Sequence, residues 1–154
     1  MLKEGDVAPD FELPNEDGNP VRLSRLKGAP IVLYFYPKDD TSGCTREAKD
    51  FSEQLVEFAA AGAQVFGISP DSVTSHDKFR CKHGLTVPLL SDEAKSAATA
   101  YEVWKEKSMY GRKYMGVERS TFLIGADGRI VRAWRNVKVP GHVAEVLAAV
   151  RALD

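Results

Sequence analysis

Cys44 is the residue of this chain best placed for thiol chemistry. It ends the turn-forming segment 37–44, which follows a continuous apolar run at residues 31–36. Because a helical pattern starts at Cys44, we expect this cysteine between a buried strand and a helix N-terminus. A helix N-terminus carries partial positive charge and unpaired backbone N–H groups, both of which favour a thiolate over a thiol. Since the thiolate is the nucleophile, the sequence predicts a reactive cysteine rather than an inert, buried one.

The residues around Cys44 fit the attack of a thiolate on a peroxide oxygen. This reaction needs hydrogen-bond donors where charge develops on the departing oxygen. Backbone N–H groups of Gly43 and Cys44 could supply two donors, and the Thr41 hydroxyl, one helical turn earlier, can both donate and accept. The ring of Pro37 has no N–H to solvate and could shield the pocket from water. The alternative for Thr41 is a purely structural helix cap.

A permanent cation would favour the thiolate further, and Arg119 is the candidate. It precedes the predicted strand Ser120–Ile124, and strand ends commonly border the site in α/β proteins. Glu47 lies three residues after Cys44 on the same helix face, so it could orient Arg119 through paired hydrogen bonds. The simpler alternatives are a solvated charge for Arg119 and a complement to the helix dipole for Glu47.

The elements that must position these residues alternate between strands and helices. The order is a β-hairpin, two strand–helix units, a short strand and helix, a second hairpin and a last helix, which predicts an α/β fold with a mixed central sheet and helices on both faces. Residues 102–116 are expected to form an irregular segment or flap. The predicted ranges are a hairpin at 11–13 and 21–23, strands 31–36, 63–68 and 89–90, helices 44–61, 73–84, 94–101 and 143–153, and a hairpin at 120–124 and 130–134.

Length, composition and charge limit the class of protein. With 154 residues, 44% of them hydrophobic, the chain is expected to fold as one domain over 1–154. The net charge of −1 comes without a basic stripe, so neither nucleic acid nor an anionic membrane is an expected partner. No apolar stretch approaches a membrane span or a signal-peptide core, so we expect a cytoplasmic protein, in which structural disulfides are rare. No cysteine–histidine spacing indicates a metal site, and His76, His83 and His142 are expected at the surface.

The run Tyr34–Thr45 resembles the peroxiredoxins, and most closely their bacterioferritin-comigratory-protein, or Q-type, subfamily. It fits the family signature Pro-x-x-x-Thr-x-x-Cys in the variant with glycine before cysteine, and Gly5–Phe11 and Arg119–Ile124 match as well. The resemblance implies a thioredoxin-like fold and a thiol-dependent peroxidase that acts on hydrogen peroxide and organic hydroperoxides without metal, flavin or haem. It implies that Cys44 is the peroxidatic cysteine, passing through a sulfenic acid. It also implies a monomer that thioredoxin or a similar dithiol reduces, with a pocket built by Pro37, Thr41 and Arg119 and supported by Glu47.

Cys81 is the candidate resolving cysteine. Many members of the subfamily carry this cysteine five residues after the first, where this chain has Lys49, and others carry it on the following helix. Cys81 lies on that helix. In the family pattern the cysteine directly follows a phenylalanine, whereas here Arg80 separates Cys81 from Phe79. A disulfide needs Cα atoms roughly 4.4–6.8 Å apart, so we expect local unravelling of both segments before it forms. The alternative is a one-Cys peroxidase in which Cys81 has no role.

Two further activities compete with the peroxidase. A thiol–disulfide oxidoreductase is disfavoured because Cys44 has no partner in a C-x-x-C motif. A non-enzymatic holdase or redox-signalling protein would retain its activity without the Cys44 thiol. Peroxide turnover measured with a Cys44→Ser control would therefore separate such a protein from a peroxidase.

Overall fold

A computed structural model describes residues 2–26 and 28–153 of the chain. The strands and helices are β1 (Glu12–Pro14), β2 (Pro20–Arg22), β3 (Ile31–Phe35), α1 (Ser42–Ala60), β4 (Gln64–Ser69), α2 (Val73–His83), β5 (Leu89–Ser91), α3 (Ser96–Ala100), β6 (Trp104–Met109), β7 (Arg112–Val117), β8 (Ser120–Ile124), β9 (Ile130–Trp134) and α4 (His142–Arg151).

The central sheet has five strands in the order β5-β4-β3-β8-β9. Strands β3, β4 and β5 are parallel, because helical crossovers connect them. Strands β8 and β9 form a hairpin, and β8 pairs antiparallel with β3. The predicted mixed sheet is confirmed, and so is the N-terminal hairpin, which β1 and β2 form as a separate antiparallel pair.

Strand β3 is buried on both faces, as its unbroken apolar sequence predicts. Its even-numbered residues, Val32 and Tyr34, belong to a core that contains residues of α1 and α4. Its odd-numbered residues, Leu33 and Phe35, belong to a second core that contains residues of α3 and the N-terminal hairpin. Helices therefore cover both faces of the sheet, and β3 carries the chain through the middle of the protein to the candidate site.

The prediction of an irregular segment at 102–116 is wrong. Strands β6 and β7 form a regular antiparallel pair with Trp104 opposite Val117. The turn residues Tyr110 and Gly111 both have positive φ, as the two-residue turns of tight hairpins require. The hairpin was missed because most of its side chains remain accessible, so the sequence lacks the alternation of a half-buried strand. Its turn also carries tyrosine instead of the usual asparagine.

Within the described residues, no helix combines the length and the apolar character that crossing a lipid bilayer requires.

Candidate active site

Cys44 lies in the first turn of α1, at the end of the loop that leaves β3. Helix α1 begins at Ser42, two residues earlier than predicted, and Thr41 occupies the N-cap position. The first intrahelical bond from this turn runs from the Thr45 N–H to the Thr41 carbonyl, at 2.8 Å. The N–H groups of Ser42, Gly43 and Cys44 therefore have no acceptor within the helix. We call residues 37–41 the active-site loop.

The pairing of β3 with β8 brings Arg119 to the same place. These strands run antiparallel, with Phe35 opposite Ser120, so the end of β3 lies beside the beginning of β8. Arg119 is the residue before β8, and its carbonyl accepts a hydrogen bond from the Val137 N–H at 2.9 Å. A cation 75 residues away in sequence is thereby fixed next to the N-terminus of α1.

Arg119 bridges the thiol and a buried carboxyl group. Its Nη2 lies 3.2 Å from the Cys44 Sγ, and its Nη1 donates to Glu47 Oε1 at 2.7 Å. Cys44 and Glu47 are fully buried, whereas the Arg119 side chain is 16% exposed. The predicted grouping of Cys44, Glu47 and Arg119 is present in the structure. The expected pair of hydrogen bonds is not, because Glu47 Oε2 is buried and has no hydrogen-bond partner within the described part of the chain.

The electrostatics of the carboxyl–guanidinium pair follow from its burial. Removal from water raises the pKa of Glu47 to about 7, although Arg119 opposes this shift. Burial on its own would lower the pKa of Arg119, but the charges of Glu47 and Cys44 outweigh it and the pKa is raised. Arg119 therefore remains a cation beside the thiol, while Glu47 can gain or lose a proton near neutrality.

The remaining predicted pocket residues lie in the active-site loop and the first turn of α1, next to Cys44 in sequence. The Thr41 side chain makes no capping bond, and its hydroxyl donates to the Lys38 carbonyl at 2.9 Å. Its oxygen thus keeps lone pairs for another donor. Pro37 is half-buried at the start of the active-site loop. A Cβ on Gly43 would lie 3.2 Å from Arg119 Nη2, which gives a steric reason for glycine before Cys44.

Cys81 is not part of this cluster. Both cysteines are free thiols, Cys44 buried and Cys81 exposed on α2. The contact recorded for the Cys81 Sγ is a weak one at 4.0 Å to Asp77, on its own helix. The neighbouring residues show why: Phe79 is buried and Arg80 pairs with Glu16 at 2.7 Å, so this face of α2 turns inward and Cys81 turns outward.

Sequence analysis missed two buried histidines. His76 is fully buried and its Nδ1 lies 2.7 Å from Asp39 Oδ2, in the active-site loop. His142 is buried with its Nε2 2.8 Å from Thr121 Oγ1, and burial lowers its pKa to about 4. The prediction that both lie at the surface is wrong. For His76, the available signal was its three-residue spacing from Phe79, which places both side chains on one helix face.

Lys107 is a second residue that the sequence did not single out. It lies on β6 with its side chain against Gly116 and Tyr114 of β7. Burial and then the charge of Arg119 lower its pKa, while Cys44 and Glu118 act in the opposite direction. The β6–β7 hairpin, which the sequence did not predict, therefore places a second basic group, the Lys107 amine, within electrostatic reach of Cys44.

A buried thiol at a helix N-terminus, beside a fixed guanidinium, defines a protein of cysteine-based redox chemistry. Comparison with known proteins narrows this class. The model of the AhpC/TSA family matches residues 5–133. Peroxiredoxin Bcp of Bacillus subtilis is 51% identical over 153 residues, which cover 99% of this chain and 98% of that protein.

Solved structures agree with the sequence comparison. The chain resembles a Xanthomonas campestris bacterioferritin comigratory protein described for its alkyl peroxide reduction activity, with a TM-score of 0.90, 46% identity and coverage of 99% and 97% of the two chains. A cysteine variant of Xylella fastidiosa PrxQ gives a TM-score of 0.94 at 44% identity, with coverage of 99% and 97%. The chain belongs to the AhpC/TSA family and is a peroxiredoxin of the Bcp/PrxQ kind. The predicted thioredoxin-like fold and thiol peroxidase activity are confirmed.

Proposed function

We propose that Cys44 is the peroxidatic cysteine of this thiol peroxidase. The observation that carries the proposal is the 3.2 Å contact between Arg119 Nη2 and the Cys44 Sγ at the first turn of α1. A guanidinium and free helical N–H groups stabilise the thiolate that has to attack. Glu47 holds the guanidinium in place through its other nitrogen.

The first step transfers one oxygen atom to sulfur. The Cys44 thiolate attacks the terminal oxygen of a hydroperoxide, the O–O bond breaks, and the alkoxide leaves as an alcohol after gaining a proton. The sulfur becomes a sulfenic acid. Arg119 and the N–H groups of Gly43 and Cys44 are donors for the charge that grows on the leaving oxygen, and the Thr41 oxygen can accept from the incoming hydroperoxide.

The second step forms a disulfide with Cys81. Its thiolate attacks the sulfenic sulfur, the S–O bond breaks, and hydroxide leaves as water once it has taken up a proton. A dithiol of the thioredoxin type then reduces the disulfide by two successive thiol exchanges. Cys44 is buried and Cys81 exposed, and this supports the expectation that part of α2 unravels before the two sulfurs meet.

Peroxide is the oxidant and a thiol the reductant that membership of the family implies. Organic hydroperoxides are proposed in addition to hydrogen peroxide, and the exposed Thr41 and Ser42 beside Cys44 place the proposed site near the protein surface. The related Xanthomonas protein reduces alkyl peroxides. A monomeric state and a cytoplasmic location stay predictions.

Peroxide consumption by three proteins tests these roles. With dithiothreitol as the reductant, wild type and Cys81→Ser should both turn over, while Cys44→Ser should lose at least about a thousandfold in rate. With thioredoxin as the reductant, Cys81→Ser should slow strongly if Cys81 resolves. Equal thioredoxin-dependent rates would favour the one-Cys enzyme, and turnover without Cys44 would contradict the proposal.

A further inference from the structure

The β6–β7 hairpin leads directly into the candidate site. Strand β7 ends at Val117, and two residues later the chain reaches Arg119, whose Nη2 lies 3.2 Å from the Cys44 Sγ. The Glu118 N–H donates to the Val103 carbonyl at 2.7 Å, so the link between the hairpin and the arginine is fixed to the residue before β6. A side chain of the hairpin that leans toward the end of β7 therefore leans toward Arg119.

Lys107 is a side chain of the hairpin that leans this way. In the register of the two strands it lies opposite Tyr114, but its stem crosses Gly116, two residues nearer to Arg119. A Cβ on Gly116 would lie 3.2 Å from Lys107 Cδ and 3.4 Å from Lys107 Cε. Glycine at this position therefore lets the lysine stem lie close against the backbone of β7. The Lys107 amine is thereby carried toward the Arg119 end of the strand.

Lys107 is half-buried and has no acidic partner of its own among the residues that the structure describes. The other two lysines of the hairpin are paired. Lys105 Nζ lies 3.4 Å from Glu118 Oε1, and Lys113 Nζ lies 3.7 Å from Glu106 Oε1. Since no adjacent carboxylate cancels its charge, the ammonium group of Lys107 acts on the other charges around it.

The charges that Lys107 meets are those of the candidate site. Arg119 and Glu118, from the link between β7 and β8, and Cys44, from α1, all act on it. Burial and Arg119 lower the pKa of Lys107, whereas the negative charges of Cys44 and Glu118 act in the opposite direction. Two charges act on each other with the same energy, so a positive charge at Lys107 favours the thiolate form of Cys44 over the thiol.

We propose that Lys107 is a second cation of the peroxidatic site, and that it stabilises the Cys44 thiolate through its charge and not through contact with the sulfur. It is a positioning residue in this scheme, because it acts by holding Cys44 in the charged form that attacks the peroxide. The inference rests on the role of Cys44 proposed above. Arg119 supplies both a contact and a charge, whereas Lys107 supplies a charge alone. The β6–β7 hairpin thereby has a function in the first step, as the element that carries this charge to the thiol.

Three substitutions separate the charge of Lys107 from its shape. Lys107→Met keeps an unbranched stem and removes the charge, whereas Lys107→Arg keeps the charge. Lys113→Met is the matched control, because it removes a lysine of the same hairpin that is exposed and already paired with a carboxylate. All three are made in a Cys81→Ser parent, so that Cys44 is the one thiol left of the two cysteines in the chain.

Two measurements are made on each protein. The ultraviolet absorbance of the thiolate, followed from about pH 4 to pH 9, reports the ionisation of Cys44, and the same titration of a protein with both cysteines changed to serine gives the baseline. Glu47 and Tyr34, the other titratable groups near the thiol, are the same in every variant. Stopped-flow mixing with hydrogen peroxide, at a pH below the midpoint of the titration, gives the second-order rate of sulfenic acid formation.

We expect the titration midpoint of Lys107→Met to lie about half a pH unit above that of the parent, and its sulfenic acid formation to be about threefold slower. Lys107→Arg and Lys113→Met should coincide with the parent in both measurements.

A Lys107→Met midpoint equal to that of Lys113→Met overturns the proposal. A Lys107→Arg midpoint displaced as far as that of Lys107→Met also overturns it, because shape and not charge would then matter. If the parent ionises but does not react with peroxide, the role of Cys44 is overturned, and the inference that rests on it falls as well. Should Lys107→Met fail to fold, Lys107→Gln takes its place in the same comparison.

Discussion

Arg119 serves two partners through two nitrogens of one planar group. Nη2 faces the Cys44 Sγ and Nη1 faces Glu47, at 3.2 and 2.7 Å. A guanidinium can do this because its donors are fixed in a fork, whereas lysine carries a single point charge on a flexible chain. The thiol therefore gains both a charge and a defined direction from one side chain.

Replacing Arg119 by lysine should slow the attack of Cys44 on peroxide by about ten- to a hundredfold, because the loss of one charge-assisted hydrogen bond is about 1.5–3 kcal/mol. The second-order rate of sulfenic acid formation measures this. Arg112→Lys is the matched control, since Arg112 is exposed on the hairpin, and it should leave the rate unchanged. An Arg119→Lys rate within twofold of wild type would contradict the assignment.

Glu47 links stability to pH in a defined direction. Its pKa is raised from 4.5 to about 7, so the folded protein keeps a proton that the unfolded chain releases. The stability from this group is complete below about pH 4.5 and is lost as pH rises to about 7. The free energy of unfolding of wild type relative to Glu47→Gln should fall by on the order of 3 kcal/mol over that window. A difference in unfolding free energy between the two proteins that stays constant from pH 4.5 to about 7 would show that Glu47 does not titrate there.

Gly43 keeps space for the guanidinium. A Cβ at this position would lie 3.2 Å from the nitrogen that contacts Cys44, which is a few tenths of an ångström too close. Gly43→Ala should slow sulfenic acid formation by about two- to tenfold, and alanine's better helix propensity should maintain stability. Stopped-flow rates together with thermal unfolding would check this. A variant as fast as wild type would show that Arg119 shifts without consequence.

At the scale of elements, the strand register explains how the sequence could predict the site. The apolar run of β3 and the turn signal before α1 placed Cys44 at a helix N-terminus. The predicted hairpin of β8 and β9 placed Arg119 at the start of a strand. The antiparallel pairing of β3 with β8 then made the two ends neighbours. Local patterns were sufficient here because the residues of the proposed site lie at element boundaries.

The parts that the sequence did not predict depend on tertiary contacts. Asp39 and His76 are typical surface residue types, and their burial follows only from how α2 lies on the active-site loop. Lys107 was missed together with the polar β6–β7 hairpin. The relation of Cys81 to Cys44 has the same origin, since helix rotation and packing, not sequence spacing, turn Cys81 outward.

The contact between β4 and the Tyr34 ring is a test of how tightly the sheet is packed. A Cβ on Gly67 would lie 2.6 Å from Tyr34 Cζ and 2.9 Å from Leu89 Cδ2, both in the core. Gly67→Ala should lower the free energy of unfolding by about 1–3 kcal/mol because rigid neighbours have to move. Gly116→Ala is the control, because its Cβ would meet the flexible Lys107 side chain at 3.2 Å and the exposed Tyr114 ring only at 3.5 Å. Equal denaturation midpoints would contradict this packing.

At the scale of the whole molecule, the fold keeps two thiols apart and gives them different surroundings. Cys44 is buried against a cation at a helix N-terminus, whereas Cys81 is exposed near the end of a helix that is tied to the active-site loop. The first arrangement suits attack on peroxide. The second suits a thiol that acts later, after local release of α2.

The most direct test of this division of roles is intact-mass spectrometry under non-reducing conditions, after one equivalent of peroxide and alkylation of the remaining thiols. Wild type should contain one intramolecular Cys44–Cys81 disulfide, and Cys81→Ser should carry a sulfenic or further oxidised Cys44. Oxidised Cys44 without a disulfide in both proteins would contradict the role of Cys81. An unmodified Cys44 in both would contradict the account of the site.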